Sequence, residues 1–152
     1  MKRYVLPLVF ILLITGGCGG RGSKEPKTGE ASEKPDSRKI TIKHYSLAKA
    51  PQNIRRAADK YMAKETGFFL RGEDRYWVLV IRGEKPTGGY DVTISDALLS
   101  VSNGESKLTV KYRYSDPPPG QFVTQSLTYP KDLVLLEGLE EKPDKTEFIK
   151  IE

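Results

Sequence analysis

The sequence predicts a mainly β domain, an antiparallel β-sandwich or barrel-like sheet with one N-terminal α-helix packed against it. Three observations carry this. Beyond Gly67, turn signals recur roughly every eight to twelve residues, the spacing of short antiparallel strands. Arg75–Arg82 (RYWVLVIR) is rich in β-branched and aromatic residues and has no proline. Only one stretch, from about Gln52 to Glu65, carries an apolar stripe at helical spacing.

The elements follow in order. Ile40, Ile42, His44-Tyr45 and Leu47 alternate as a first strand beginning at Lys39. Pro51 opens the helix near its first position, where a missing N–H costs nothing. Ile54, Ala57, Ala58, Tyr61 and Met62 share one side of it, and Gly67 is the expected C′ terminator. Phe68-Phe69-Leu70 reads as a short strand. The nearly continuous apolar run of RYWVLVIR predicts burial on both faces, with Trp77 in the core. Tyr90–Leu99 and Lys107–Tyr114 alternate around the hairpin signal Asn103-Gly104. Pro117-Pro118-Pro119-Gly120 interrupts the pattern. Gln121–Thr128 and Leu133–Leu136 are expected strands on either side of Tyr129-Pro130, and Glu147–Ile151 a last one.

This domain, residues 39–152, is preceded by two segments of different character. Residues 1–17 have a basic start (Lys2, Arg3), then an apolar run from Tyr4 to Ile14 that is too short to cross a bilayer, then small residues before Cys18. This resembles a bacterial lipoprotein signal, with Thr15 where leucine is usual. The resemblance implies that the Cys18 thiol is acylated and the chain is cut before it. The expectation is a lipid-anchored protein of the bacterial cell envelope, at the outer membrane in a diderm, facing the periplasm or the cell surface. Residues 18–38 contain no aromatic and no branched aliphatic side chain. Such a segment cannot bury enough apolar area to offset its ordering entropy, so it reads as a flexible linker with a root-mean-square reach of roughly 25 Å.

Composition excludes several chemistries. Cys18 is the only cysteine and His44 the only histidine. With Cys18 acylated, the domain has no disulfide, thiolate metal site or cysteine nucleophile, and one histidine cannot build a histidine metal cluster. No metal or other cofactor is expected. His44, in an alternating pattern, reads as a surface or edge residue. Losing Lys2 and Arg3 lowers the net charge from +5 to +3, with the signs mixed. No basic stripe with interleaved aromatics suggests nucleic acid. Asp74 or Asp91 beside a tyrosine is the thin basis for a hydrolase, so the expected class is noncatalytic.

One loop stands out. Gly83-Glu84-Lys85-Pro86-Thr87-Gly88-Gly89-Tyr90 lies between two of the strongest strands. Proline fixes one φ, glycines permit positive φ, and a tyrosine closes the loop. It reads either as a hairpin connection or as a recognition loop. In the second reading Pro86, Thr87, Gly88, Gly89 and Tyr90 are partner-binding candidates, joined by Pro117, Pro118, Pro119 and Gly120 if the fold brings the loops together. The glycines would allow close approach, Thr87 would supply a hydroxyl and Tyr90 apolar contact area.

The stretches YWVLVIRGEKPTGGYDVTI, KLTVKYRYSDPPPG and TQSLTYPKDLVLLEG resemble the PrcB C-terminal domain family over about residues 68–138. The resemblance implies a lipoprotein that is a noncatalytic accessory or stabilising subunit of a surface protease complex. Its partners would then be the membrane, through acyl chains on Cys18, and a protein, with a protease among the candidates. Pro86–Tyr90 is also similar to the loop of chagasin-like inhibitors of papain-type cysteine proteases. Gly88 replaces the second threonine of that loop, and no Arg-Pro-Trp element follows.

Overall fold

The computed structural model describes residues 36–152. Cys18, the signal segment and most of the linker lie outside the described residues. Eight strands form two four-stranded sheets. They are β1 (Asp36–Lys39), β2 (Thr41–His44), β3 (Glu65–Gly72), β4 (Arg75–Arg82), β5 (Asp91–Ser102), β6 (Glu105–Ser115), β7 (Lys131–Glu137) and β8 (Lys145–Lys150), with one helix, α1 (Gln52–Tyr61). Sheet I has the order β1-β5-β6-β8 and sheet II the order β2-β7-β4-β3. The sheets pack face to face as an open sandwich, so the barrel-like alternative is set aside.

Two apolar layers hold the domain together. Between the sheets lie Tyr76, Val78, Val80, Val134 and Leu136 of sheet II, against Val92, Ile94, Ala97, Leu99, Leu108 and Val110 of sheet I. The other face of sheet II presents Trp77, Leu79, Ile81, Leu133 and Leu135 to Ile54 and Ala58 of α1. This is why β4 reads as an unbroken apolar run: successive side chains point to opposite faces, and both faces are covered. Each large side chain fully buried here contributes about 1.5–3 kcal/mol. Trp77 meets its expectation, buried with its indole N–H donating to the Gly72 carbonyl at 3.1 Å.

Sheet I covers only one face, and its strands alternate accordingly. In β5 the inward positions change parity at a bulge: Val92 and Ile94 point inward, then Ala97 and Leu99, with the register to β6 shifting between Ile94 and Asp96. One extra residue there keeps both halves of the strand apolar-in. Asn103 and Gly104 both adopt positive φ, the type I′ geometry that suits a right-twisted hairpin.

Several expectations are corrected. The first strand is two strands, because Ile40 turns the chain from sheet I to sheet II. Ile40 is buried at that corner, and its N–H donates to the Ala97 carbonyl. β1 takes in Asp36, Ser37 and Arg38, assigned above to the linker. The helix ends at Tyr61, and Gly67 is no C-cap. It lies inside β3, where a Cβ would come within 2.5 Å of the Phe148 ring. Phe148 of β8 thus closes the side of the sandwich that Ile40 does not. The strand pairing is not wholly antiparallel, since β8 runs parallel to β6. The crossing segment 138–144 enters sheet I at the end where β6 starts, which fixes that direction. No strand forms over Gln121–Thr128. Apart from Val123 and Thr128 its side chains are exposed, so no alternating face is available to bury.

Candidate functional site

Gly83–Tyr90 is not a hairpin connection. β4 pairs with β3 and β7, and β5 with β1 and β6, so this loop carries the chain from sheet II to sheet I. Residues 116–130 carry it back at the same end of the sandwich. That shared end is why the two loops meet. Lys85 and Thr128 exchange both backbone hydrogen bonds at 2.9 Å, and the Gly88 N–H donates to the Thr124 carbonyl at 2.9 Å. Thr128 Oγ1 donates to the Thr87 carbonyl at 2.7 Å, and the Tyr129 hydroxyl to Glu84 Oε2 at 2.9 Å. The last bond raises the Tyr129 phenol above its ordinary value, since losing its proton would place two anions side by side.

Beneath both loops lies Arg82, the one charged residue among the described residues that is buried, at 7 % exposure. Its Nη1 donates to the carbonyls of Asp91 (3.2 Å) and Ser115 (2.6 Å), and its Nη2 pairs with Asp116. One side chain of sheet II therefore holds the first residue of β5 and the last of β6. Its guanidinium carbon lies 5.0 Å from the Tyr90 ring centre and 4.6 Å from that of Tyr114, within cation–π range. Arg82 Nε and the Tyr114 hydroxyl are buried without a hydrogen-bond partner among the described residues. Burial, reinforced by the nearby Glu65 carboxylate, pushes the Tyr114 phenol far above its ordinary range.

The structure gathers all nine partner-binding candidates at this end. Pro86, Gly89, Pro118, Pro119 and Gly120 are exposed; Thr87, Gly88, Tyr90 and Pro117 are half-buried. Their local roles are largely internal. Gly89, at φ +85°, sits where a Cβ would lie 2.8 Å from Pro117 and 2.9 Å from Val123. Tyr90 turns its ring onto Arg82, and Thr87 Oγ1 bonds the Gly88 carbonyl at 3.2 Å. The side chain most available for contact is Phe122, which is fully exposed, followed by Leu127 at 57 % exposure. Sequence reasoning passed over Phe122 and Arg82. An uncharged run around an aromatic could have signalled the first; the two-residue period of β4, which puts Arg82 on the face of Tyr76, Val78 and Val80, could have signalled the second.

The carboxylates weighed for catalysis are apart from this arrangement or occupied in it. Asp74 lies in the positive-φ turn between β3 and β4, paired with Arg71 at 2.9 Å, and Asp91 offers its carbonyl to Arg82. His44 is half-exposed on β2, its Nδ1 3.0 Å from Asp132 Oδ1, while Asp132 Oδ2 accepts the Ile94 N–H at 2.7 Å. That contact ties the sheets together.

Fold and site together define a helix-backed β-sandwich whose two sheet-crossing loops form a braced surface at one end. Residues 76–137 match the family model described as PrcB C-terminal, as the sequence resemblance implied. The matched segment runs from β4 through both loops and into β7, the parts that build and brace that surface. Comparisons with curated proteins and with solved structures give no match.

Proposed function

We propose that this protein is a lipid-anchored, noncatalytic binding module, an accessory subunit that holds a protein complex at the bacterial envelope with its two-loop surface. The observation that carries the reading is the pairing of those loops, inside the family-matched segment, by Arg82 and by backbone bonds from one loop to the other. A braced, partly apolar surface is ready to bind without first being ordered. The family resemblance adds a protease-containing complex as the partner class. Polarity of the domain fits a tether. β1, where the described chain starts, pairs Asp36 with Val101 near the far end of β5. The loops begin at the other end of that strand, about 30 Å away at the usual rise per residue.

The inhibitor reading is weaker, because the side chains that would enter a cleft are engaged within the domain: the half-buried Tyr90 lays its ring on Arg82, and the Thr87 hydroxyl bonds the Gly88 carbonyl. The test is affinity purification of the detergent-solubilised full-length protein from its host. The expected result is one protein recovered in stoichiometric amount and lost when Pro86–Gly89 is replaced by a neutral linker of equal length. Repeated recovery of the chain alone would overturn the reading.

A further inference from the structure

Charge is spread densely along this chain, with 30 % of residues Asp, Glu, Lys or Arg. Residues 117–130, PPPGQFVTQSLTYP, nevertheless contain none, the longest such run among the described residues. Pro86–Tyr90, the facing loop, contains none either. Phe122 stands near the middle of the longer run, fully exposed, and its backbone is fixed on both sides. Before it, the Gln121 N–H bonds the Pro118 carbonyl at 3.1 Å and Gly120 sits at φ +81°. After it, Val123 packs against Gly89, and the Thr124 carbonyl accepts the Gly88 N–H. The fold therefore holds one large apolar side chain out in water on a braced loop, where other aromatic rings of the domain pack on neighbours.

We propose that Phe122 is the anchor of the two-loop surface and that it seats in an uncharged, aromatic-sized apolar pocket on a folded protein partner. This rests on the binding-module reading and assigns its central contact. Anchors of this kind, aromatic and ringed by near-neutral contacts, carry a disproportionate share of interface affinity. The nearest flanking charges alternate in sign, Glu84 with Lys85 and Asp116 with Lys131. They provide no cationic rim of the kind that draws an apolar side chain into an anionic bilayer, so a protein pocket is the occupant the surface fits.

The test places a photoreactive benzoylphenylalanine at position 122, at Pro118 on the same surface, or at Glu140 at the opposite end, in the full-length protein in its host. Adducts are identified by mass, and the identified protein is then purified and titrated with the wild-type chain and with Phe122→Ser. Support is the same protein captured from positions 122 and 118 but not from 140, with affinity lowered about thirtyfold by Phe122→Ser at unchanged thermal midpoint. Capture from 118 alone, or unchanged affinity, would overturn Phe122 as the anchor and leave the binding surface standing. Adducts with a second copy or with lipid would overturn the pocket on another protein. So would flotation of the unacylated Cys18→Ser chain with phosphatidylethanolamine–phosphatidylglycerol vesicles that Phe122→Ser abolishes. No adduct from 118 or 122 would overturn the anchor and the binding surface together.

Discussion

The two ends of the sandwich are held by opposite means. At the end with the Asn103-Gly104 turn, tight turns join β3 to β4 and β5 to β6, the short segment 138–144 crosses between the sheets, and exposed pairs hold the strands: Lys145 with Glu105, Lys107 with Glu147, and Asp144 with Ser106. Exposed ion pairs like the first two contribute little each. At the loop end, long connections cross between sheets, and a single buried guanidinium joins β4, β5 and β6. One end rests on several small exposed contacts; the other adds one buried side chain to the bonds between its loops.

Arg82→Ala should break the comparison most severely. It removes charge-assisted bonds to two carbonyls and leaves a void between Tyr90 and Tyr114, at an expected cost of about 2–4 kcal/mol in urea unfolding. The same variant should speed amide exchange at Gly88 and Thr128 while sparing Asn103 and Glu105. A uniform change across both ends would show that the arginine supports the whole core and does not act as a local tie. Gly89→Val is next. A side chain at φ +85° that meets Pro117 and Val123 should cost about 1–3 kcal/mol and push the loops apart without disturbing β8. Retention of the Gly88–Thr124 bond in an NMR spectrum of this variant would count against the close-packed loop contact.

The smallest effect belongs to the opposite end. Two hydrogen bonds from Ser106 hold the Asp144 carboxyl below its usual range. A folded value depressed below the unfolded one stabilises the native state above the unfolded value. That contribution is lost as pH falls through the folded value. Asp144→Ala should therefore lower the urea midpoint slightly at neutral pH, and the gap to wild type should close only as the pH is taken well below the ordinary carboxylate range. A gap that persisted in acid would assign the effect to lost packing.

The contrast between the ends also marks what the sequence made legible. The turn end is built from local signals: Asn103-Gly104 sets its hairpin, and alternation in β5 and β6 sets its inward face. The continuous apolar run of β4 told that both faces of sheet II would be covered, before anything told by what. At the loop end the decisive contacts join residues far apart in the chain. Arg82 with Ser115 and Lys85 with Thr128 have no local pattern to announce them. Gly67 illustrates the opposite failure. A glycine just past a helical stripe has the form of a C-cap, but the ladder from Glu65 to Gly72 against β4 claims it, and Phe148 needs its missing side chain. Tertiary packing outweighed a sound local signal.

The Ile40 corner has a mechanical consequence. All four residues of β1 are exposed, and they hold only to the edge of β5, whereas Ile40 is buried and β2 beyond it belongs to the other sheet. Tension applied from the amino-terminal side would load β1 first. Peeling it would release about 13 Å of chain at the usual strand rise while leaving the inter-sheet core shut. The corner then acts as a stop: a short strip yields, and the load passes to a residue buried in the inter-sheet core, where the chain turns from one sheet to the other.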